Sequence, residues 1–181
     1  MLRIITGKYG RRLIETPHSL DIRPTKDRVK ESVFNKLFNL IDDYSRITVV
    51  DLFSGTGNLG IEAISRGAKK CYFVEMNFDH ADLIQNNLNK LEISSGRSKI
   101  IKRNVLDLDL NRFESPLFFA DPPYKMNKNK IKPLFDKFRK LKEGTIVVYE
   151  SSRHGKVPDD MQDKIIDQKE YGYSQIIMLR I

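Results

Sequence analysis

Cysteine occurs once, at Cys71, so no internal disulfide can staple the chain and a reducing compartment is expected. No apolar run approaches the roughly 20 residues of a membrane helix. The opening Met1-Leu2-Arg3-Ile4-Ile5-Thr6-Gly7-Lys8 lacks a signal-peptide core. A cytoplasmic protein with no membrane partner is therefore expected. His18, His80 and His154 are scattered and, with a single cysteine, give no metal-ligand spacing, so no metal site is expected. Neither a Ser/His/Asp nor a Cys/His arrangement is legible, and there is no repeat or low-complexity segment. What is left is an ordinary globular profile, 181 residues long. Residues 1–181 are expected to form a single, monomeric domain that carries a basic hairpin extension over 1–24.

Charge is the first positive signal. Lys and Arg number 32 against 24 Asp and Glu, a formal charge of +8, which favours a polyanion as partner. The excess is clustered. Residues 1–30 hold Arg3, Lys8, Arg11, Arg12, Arg23, Lys26, Arg28 and Lys30. Residues 125–142 hold eight cations against Asp136 alone, beginning at Lys125 and Lys128. Arg3, Lys8, Arg11, Arg12, Lys125 and Lys128 are the candidate contacts to such a polyanion. Tyr9, among the first cluster, is either a stacking residue or a plain surface tyrosine.

Hydrophobic patterning then organises the chain. Two short strands flank a turn at Gly7–Gly10. Thr25 is a candidate N-cap for a helix over residues 26–42, with an apolar stripe of Val29, Val33, Phe34, Leu37, Phe38 and Ile41. Strand and helix signals alternate from there. Ile47–Val50, Cys71–Val74, Ile100–Ile101, Leu117–Ala120 and Thr145–Tyr149 read as strands. Helices are expected after Asn58, along Ala81, Ile84, Leu88 and Leu91, and along Ile131, Leu134, Phe135, Phe138 and Leu141, with Pro133 near the start of the last. Lys164–Ile166 and Gln175–Leu179 close the chain as an antiparallel pair. Alternation of this kind predicts an α/β, doubly wound, mostly parallel sheet whose ligands lie beyond strand C-terminal ends.

Two motifs fall at such ends. Gly55-Thr56-Gly57-Asn58-Leu59-Gly60 matches the G-x-G-x-x-G dinucleotide pattern, and Glu75 ends the next strand. Asp51, just before the turn, discriminates between cofactors: its carboxylate would repel a pyrophosphate but suits the cationic S-adenosylmethionine (SAM). A nicotinamide reductase is disfavoured on that ground. In the SAM reading, Ser54, Gly55 and Gly57 form the turn along the cofactor. Glu75 accepts the ribose hydroxyls, Met76 packs on the adenine and Asn104 reaches its edge, with Asp107 as the alternative. The second motif is Asp121-Pro122-Pro123-Tyr124. An exocyclic base amine is a poor nucleophile, because its lone pair is delocalised into the ring. The Asp121 carboxylate and Pro122 carbonyl can each accept one amine hydrogen, aiming the lone pair at a methyl group. Pro123 stiffens the turn and Tyr124 can stack on the base.

The same residues carry a family resemblance over nearly the whole chain. They are Arg3-Ile4-Ile5-Thr6-Gly7-Lys8-Tyr9 with Arg11, Arg23-Pro24-Thr25 with Asp27-Arg28-Val29-Lys30-Glu31, and Asp51-Leu52-Phe53-Ser54-Gly55-Thr56-Gly57. Gly60-Ile61-Glu62-Ala63, Ser65-Arg66-Gly67-Ala68, Val74-Glu75, Asp121-Pro122-Pro123-Tyr124 and Tyr171-Gly172 complete the set. The chain resembles the class I SAM-dependent amino-methyltransferases, and within them the bacterial RsmD type that methylates guanine N2 in 16S ribosomal RNA. The resemblance implies a seven-stranded Rossmann-like sheet, SAM as methyl donor and a guanine in a 30S assembly intermediate as substrate. It also implies that Arg23-Pro24-Thr25 borders the cofactor, with Thr25 or Arg28 near the methionine carboxylate. Thr6 departs from the glycine common in the family. The rivals are a DNA adenine-N6 methyltransferase, for which no long target-recognition insertion is available, and a non-catalytic RNA-binding assembly factor on the same fold.

Overall fold

The computed structural model describes residues 1–17, 27–123, 126 and 128–181, without the side chains of Lys128, Asn129 and Lys130. Thr25, Tyr124 and Lys125, and the side chain of Lys128, lie outside the described residues. Strands β1 (Leu2–Arg3) and β2 (Leu13–Ile14) pair antiparallel as the N-terminal hairpin. Its turn rests on the end of a helix so closely that a Cβ on Gly7 would lie 2.0 Å from the Ser65 carbonyl oxygen. With φ at +85°, only glycine fits there.

Helix α1 (Asp27–Leu40) leads into β3 (Thr48–Leu52), α2 (Asn58–Ser65), β4 (Lys70–Val74), α3 (Phe78–Lys90) and β5 (Ser98–Ile101). Then follow β6 (Leu117–Ala120), α4 (Lys128–Phe138), β7 (Ile146–Ser152), β8 (Ile165–Tyr171) and β9 (Ser174–Arg180). The seven strands of the main sheet are ordered β5-β4-β3-β6-β7-β9-β8. β5, β4, β3, β6 and β7 are parallel, and β9 runs antiparallel to both β7 and β8. The parallel strands are continuous apolar runs because both faces are covered. α1, α2 and α3 pack with the hairpin on one face, around Phe34, Ile61, Phe73 and Phe119. α4 and short 3-10 turns cover the other, around Phe118, Phe135, Val147 and Tyr149.

Some expectations shift. α1 stops at Leu40, and Phe38, placed in its apolar stripe, is 73% exposed because the helix turns that edge away from the sheet. Pro133 lies inside α4, at its sixth residue, where it removes one i→i−4 bond. β7 runs through Ser152 because β9 pairs along its whole length. Tyr9 is buried in the core beneath the hairpin, 5% exposed, so it presents no free ring.

The hairpin is joined to α1 and α2 by buried charge. Lys30 and Glu62 have side chains with no exposed area and pair at 3.3 Å. Lys30 Nζ also donates to the Arg3 carbonyl at 2.6 Å and to Asn58 Oδ1 at 2.8 Å, using all three of its hydrogens. Glu62 accepts from the backbone N–H groups of Ile5 (2.8 Å) and Thr6 (3.2 Å) and from Arg66 Nε (2.8 Å). Burial pulls the Lys30 amine below the ordinary lysine range, and the Glu62 charge opposes that pull. A pair satisfied to this degree is tolerated in the interior, whereas either partner alone is not. Lys30→Met is therefore expected to lower unfolding free energy by about 3–5 kcal/mol. The double variant Lys30→Met/Glu62→Leu should lose less than the sum of the single variants in urea titrations; strict additivity would contradict the coupling.

Candidate active site

Strands β3 and β6 are distant in the chain but adjacent in the sheet, with Leu52 opposite Ala120. The turn after β3 and the turn after β6 thus leave the same edge about 5 Å apart. That is the switch point where strand order reverses, so the glycine turn and Asp121-Pro122-Pro123 stand side by side.

The glycine turn is held from below by side chains. Asp51 is buried, 3% exposed, and its Oδ2 accepts from the Gly60 N–H at 2.9 Å. Gly60 presses so tightly on β4 that a Cβ would come within 2.4 Å of Phe73 and 2.6 Å of Cys71 Sγ. Ser54 Oγ donates to the Asp51 carbonyl at 2.6 Å. Phe53, not a glycine, sits at φ +58°, a backbone conformation that costs a non-glycine residue roughly 1–3 kcal/mol. Glu75 accepts from the Gly55 N–H at 2.9 Å and from the Asn77 N–H at 2.8 Å, which still leaves acceptor positions on both oxygens. Beside it Met76 and Phe78 are 61% and 66% exposed, an unusual pair of apolar side chains on the rim. Asn104 is half-buried and caps a 3-10 turn by accepting from the Leu106 N–H at 3.0 Å.

On the other side of the switch point, Asp121 is half-buried, Pro122 buried and Pro123 exposed. Ala120 lies opposite Tyr149 on β7, and the Tyr149 phenol is pushed up to about 12, by burial first and by the Asp121 charge second. Pro122, Pro123, Tyr149, Ser152, His154 and Val157 help to wall a cavity of about 1130 Å3 that opens beside the turn.

Arg3, Lys8, Arg11 and Arg12 are exposed, but the hairpin tip rests on the far end of α2. That puts it roughly 12 Å, one length of α2, from the glycine turn. Of the second basic cluster, Lys137 is spent on the Leu108 carbonyl at 2.6 Å, and Arg139 on Asp136 and Asp160. Among the described residues, no group of three or more His, Cys, Asp or Glu is placed to hold a metal, and no helix is long and apolar enough to cross a membrane.

Sequence reasoning missed the residues that brace this site. Asn87 is fully buried; it accepts from the Glu15 N–H at 2.8 Å and donates to the carbonyls of Glu15 (3.1 Å) and Thr56 (3.2 Å). With Lys30 on Asn58, it ties the hairpin to the glycine turn at a second point. A signal was present: Lys30, Glu62 and Asn87 each occupy a helical position otherwise filled by apolar residues.

Burial raises the Asp51 carboxyl to about 8; the Gly60 N–H works against that rise and the Glu75 charge adds to it. Between the unfolded value of about 3.9 and the folded one, the folded state holds a proton that the unfolded state has released, so stability falls as pH rises. The stability of the wild type relative to Asp51→Asn should accordingly drop from pH 5 to pH 8, by up to roughly 1.4 kcal/mol per pH unit in urea titrations. A pH-independent difference would show that Asp51 is already ionised when folded.

A family model, Conserved hypothetical protein 95, matches residues 2–180. The chain is 33% identical over 186 residues to a Bacillus subtilis protein provisionally named rRNA methyltransferase YlbH, covering 99% of this chain and 98% of that one. It is 38% identical over 129 residues to the Ribosomal RNA small subunit methyltransferase D of Haemophilus influenzae, covering 70% of this chain and 65% of that one. Among solved structures, an Escherichia coli protein provisionally named methyltransferase yhhF superposes with a TM-score of 0.81 at 24% identity, covering 99% of this chain and 97% of that one. A match along almost every residue, on this sheet order and with these two turns at its switch point, means that the chain belongs to the Conserved hypothetical protein 95 family, the RsmD type of class I SAM-dependent methyltransferases.

Proposed function

We propose that this protein transfers a methyl group from SAM to the exocyclic N2 amine of a guanine in 16S ribosomal RNA, within a 30S assembly intermediate. It acts as one cytoplasmic methyltransferase domain with a basic hairpin extension. The observation that carries the reading is the juxtaposition of the two turns: β3 and β6 pair with Leu52 opposite Ala120, so whatever lies on the glycine turn faces whatever Asp121 grips. The curated relatives named for ribosomal RNA methylation supply the substrate class.

The donor set fits SAM. Glu75 at the end of β4 keeps acceptor positions for a ribose diol, while Asp51, buried and protonated below about pH 8, braces the turn from beneath. Exposed Met76 and Phe78 offer apolar area to an adenine. Thr25, Asp51, Ser54, Gly55, Gly57, Glu75, Met76 and Asn104 form the binding set. SAM, when bound, supplies an electrophilic methyl on a sulfonium.

The residues of the chain then prepare the nucleophile. Asp121 and the Pro122 carbonyl accept the two amine hydrogens, so the nitrogen lone pair leaves the ring plane and points across the switch point. The Asp121 carboxylate also stabilises positive charge as it develops on nitrogen. Pro123 restricts the backbone and Tyr124 stacks on the base. The methylated amine is acidic and passes its proton to Asp121 or to water. Neither step needs a strong base. Arg3, Lys8, Arg11 and Arg12 meet phosphates away from the target, because their hairpin tip sits at the far end of α2. Lys125 and Lys128 follow the catalytic turn directly and meet phosphates close to it.

Asp121→Ala should cut turnover on ribosomal RNA on the order of 10²-fold or more while SAM affinity by calorimetry stays near the wild-type value. Near-normal turnover would refute the assigned role, and methyl label appearing only in DNA adenine would refute the substrate. Exchanging Lys8, Arg11 and Arg12 together for Gln should weaken RNA binding and flatten its dependence on salt by about two to three units of log–log slope. An unchanged slope would leave these cations as solvated surface.

A further inference from the structure

β7 outruns its parallel neighbour. Beyond Tyr149, which is level with the last residue of β6, it continues through Glu150, Ser151 and Ser152, and Ser152 pairs with Ser174 of β9. That extension is about 10 Å long. Because β9 is antiparallel to both β7 and β8, the β8–β9 turn at Gly172-Tyr173 emerges on the catalytic edge of the sheet. It is not a loose tip. The Arg153 N–H donates to the Tyr173 carbonyl at 2.9 Å, and the Arg153 guanidinium pairs with Glu170 of β8 at 2.8 Å. Both contacts weld the turn to the loop after β7, which walls the cavity through Ser152, His154, Gly155 and Lys156. That loop is itself braced by Gln175, whose Nε2 donates to the carbonyls of Ser152 (3.1 Å) and Gly155 (2.5 Å).

On this rigid support the Tyr173 side chain stands 81% exposed, the most exposed of the chain's described aromatics. Arg153, His154 and Lys156 are exposed beside it. Of the nearby acids, Glu170 pairs with Arg153, and Asp136 and Asp160 pair with Arg139; Glu150 and Asp159 also line the cavity. An exposed ring held at the catalytic edge, next to a loop whose His154 and Lys156 line the cavity, has the chemistry of a single-strand binding site: stacking on any base, with polar groups for its phosphate.

We propose that Tyr173 is a stacking platform for the unpaired RNA base next to the methylated guanine, with His154 and Lys156 serving the adjoining phosphates. The proposal rests on the ribosomal RNA reading above. It adds a second contact surface at the catalytic edge, separate from the N-terminal hairpin.

The ring can be changed without touching the core, so folding does not confuse the test. Tyr173→Ala should raise KM for unmethylated small-subunit particles roughly ten-fold or more, with kcat and SAM affinity changed less than about two-fold. Tyr173→Trp should keep a near-normal KM. Since the natural sequence contains no tryptophan, its indole is a sole reporter, and RNA should quench its emission saturably. Unchanged KM in Tyr173→Ala, or an indole that RNA leaves unquenched, would overturn the platform. So would an indole quenched by particles but not by naked 16S RNA, since Tyr173 would then touch a ribosomal protein. A wild-type protein that methylates no ribosomal RNA would overturn the underlying reading instead; the quench would still decide the platform.

Discussion

The Glu62–Lys30 pair is the contact on which the rest of the arrangement hangs. Two full charges without exposed area must be matched nearly atom for atom, and the groups that match them come from three separate pieces of chain. Glu62 gathers Ile5 and Thr6 of the hairpin connection, while Lys30 gathers Arg3 and Asn58. Dispersion and apolar burial would hold α1 and α2 on the sheet in several nearly equivalent ways. The ion pair accepts one of them, which fixes the hairpin relative to the first turn of α2, where the cofactor turn ends.

Seen from that turn, the same logic repeats. Gly55 is tied to Glu75, Thr56 to Asn87, Asn58 to Lys30 and Gly60 to Asp51. Four side chains from four elements thus hold one short loop. The loop gains rigidity without a bound ligand, so its backbone groups and the free acceptor positions of Glu75 are oriented before SAM arrives. Preorganisation of this sort matters most where the reaction depends on aim, and methylation of a delocalised amine does. The hairpin, although its basic tip lies away from the chemistry, shares two of the four ties.

The alternating strands and helices, the glycine turn and Asp121-Pro122-Pro123 were legible because their signals are local. Apolar runs, prolines and glycines act within a few residues of themselves. The doubly wound, seven-stranded sheet followed only from the alternation and the resemblance, and the pairing that brings Leu52 beside Ala120 is seen only in the structure. Lys30, Glu62 and Asn87 stayed unread because each bonds to residues far away in sequence, and polar residues in an apolar stripe do not announce their partners. Tyr9 misled for the opposite reason. Flanked by Lys8, Arg11 and Arg12, it looked like a surface ring, yet the hairpin folds it inward against α2. Tyr173 lay beside a motif already noticed, Tyr171-Gly172, but its exposure and the weld to Arg153 exist only in three dimensions.

The central claim is chemical: one amine, on one kind of base, is presented to SAM by Asp121. Small-subunit particles from cells lacking this protein, incubated with it and SAM and then mapped nucleotide by nucleotide by mass spectrometry, test that claim most directly. The account predicts a single new modification in 16S RNA, N2-methylguanine. A methyl group on adenine N6 or cytosine N4, or no modification of ribosomal RNA at all, would contradict it.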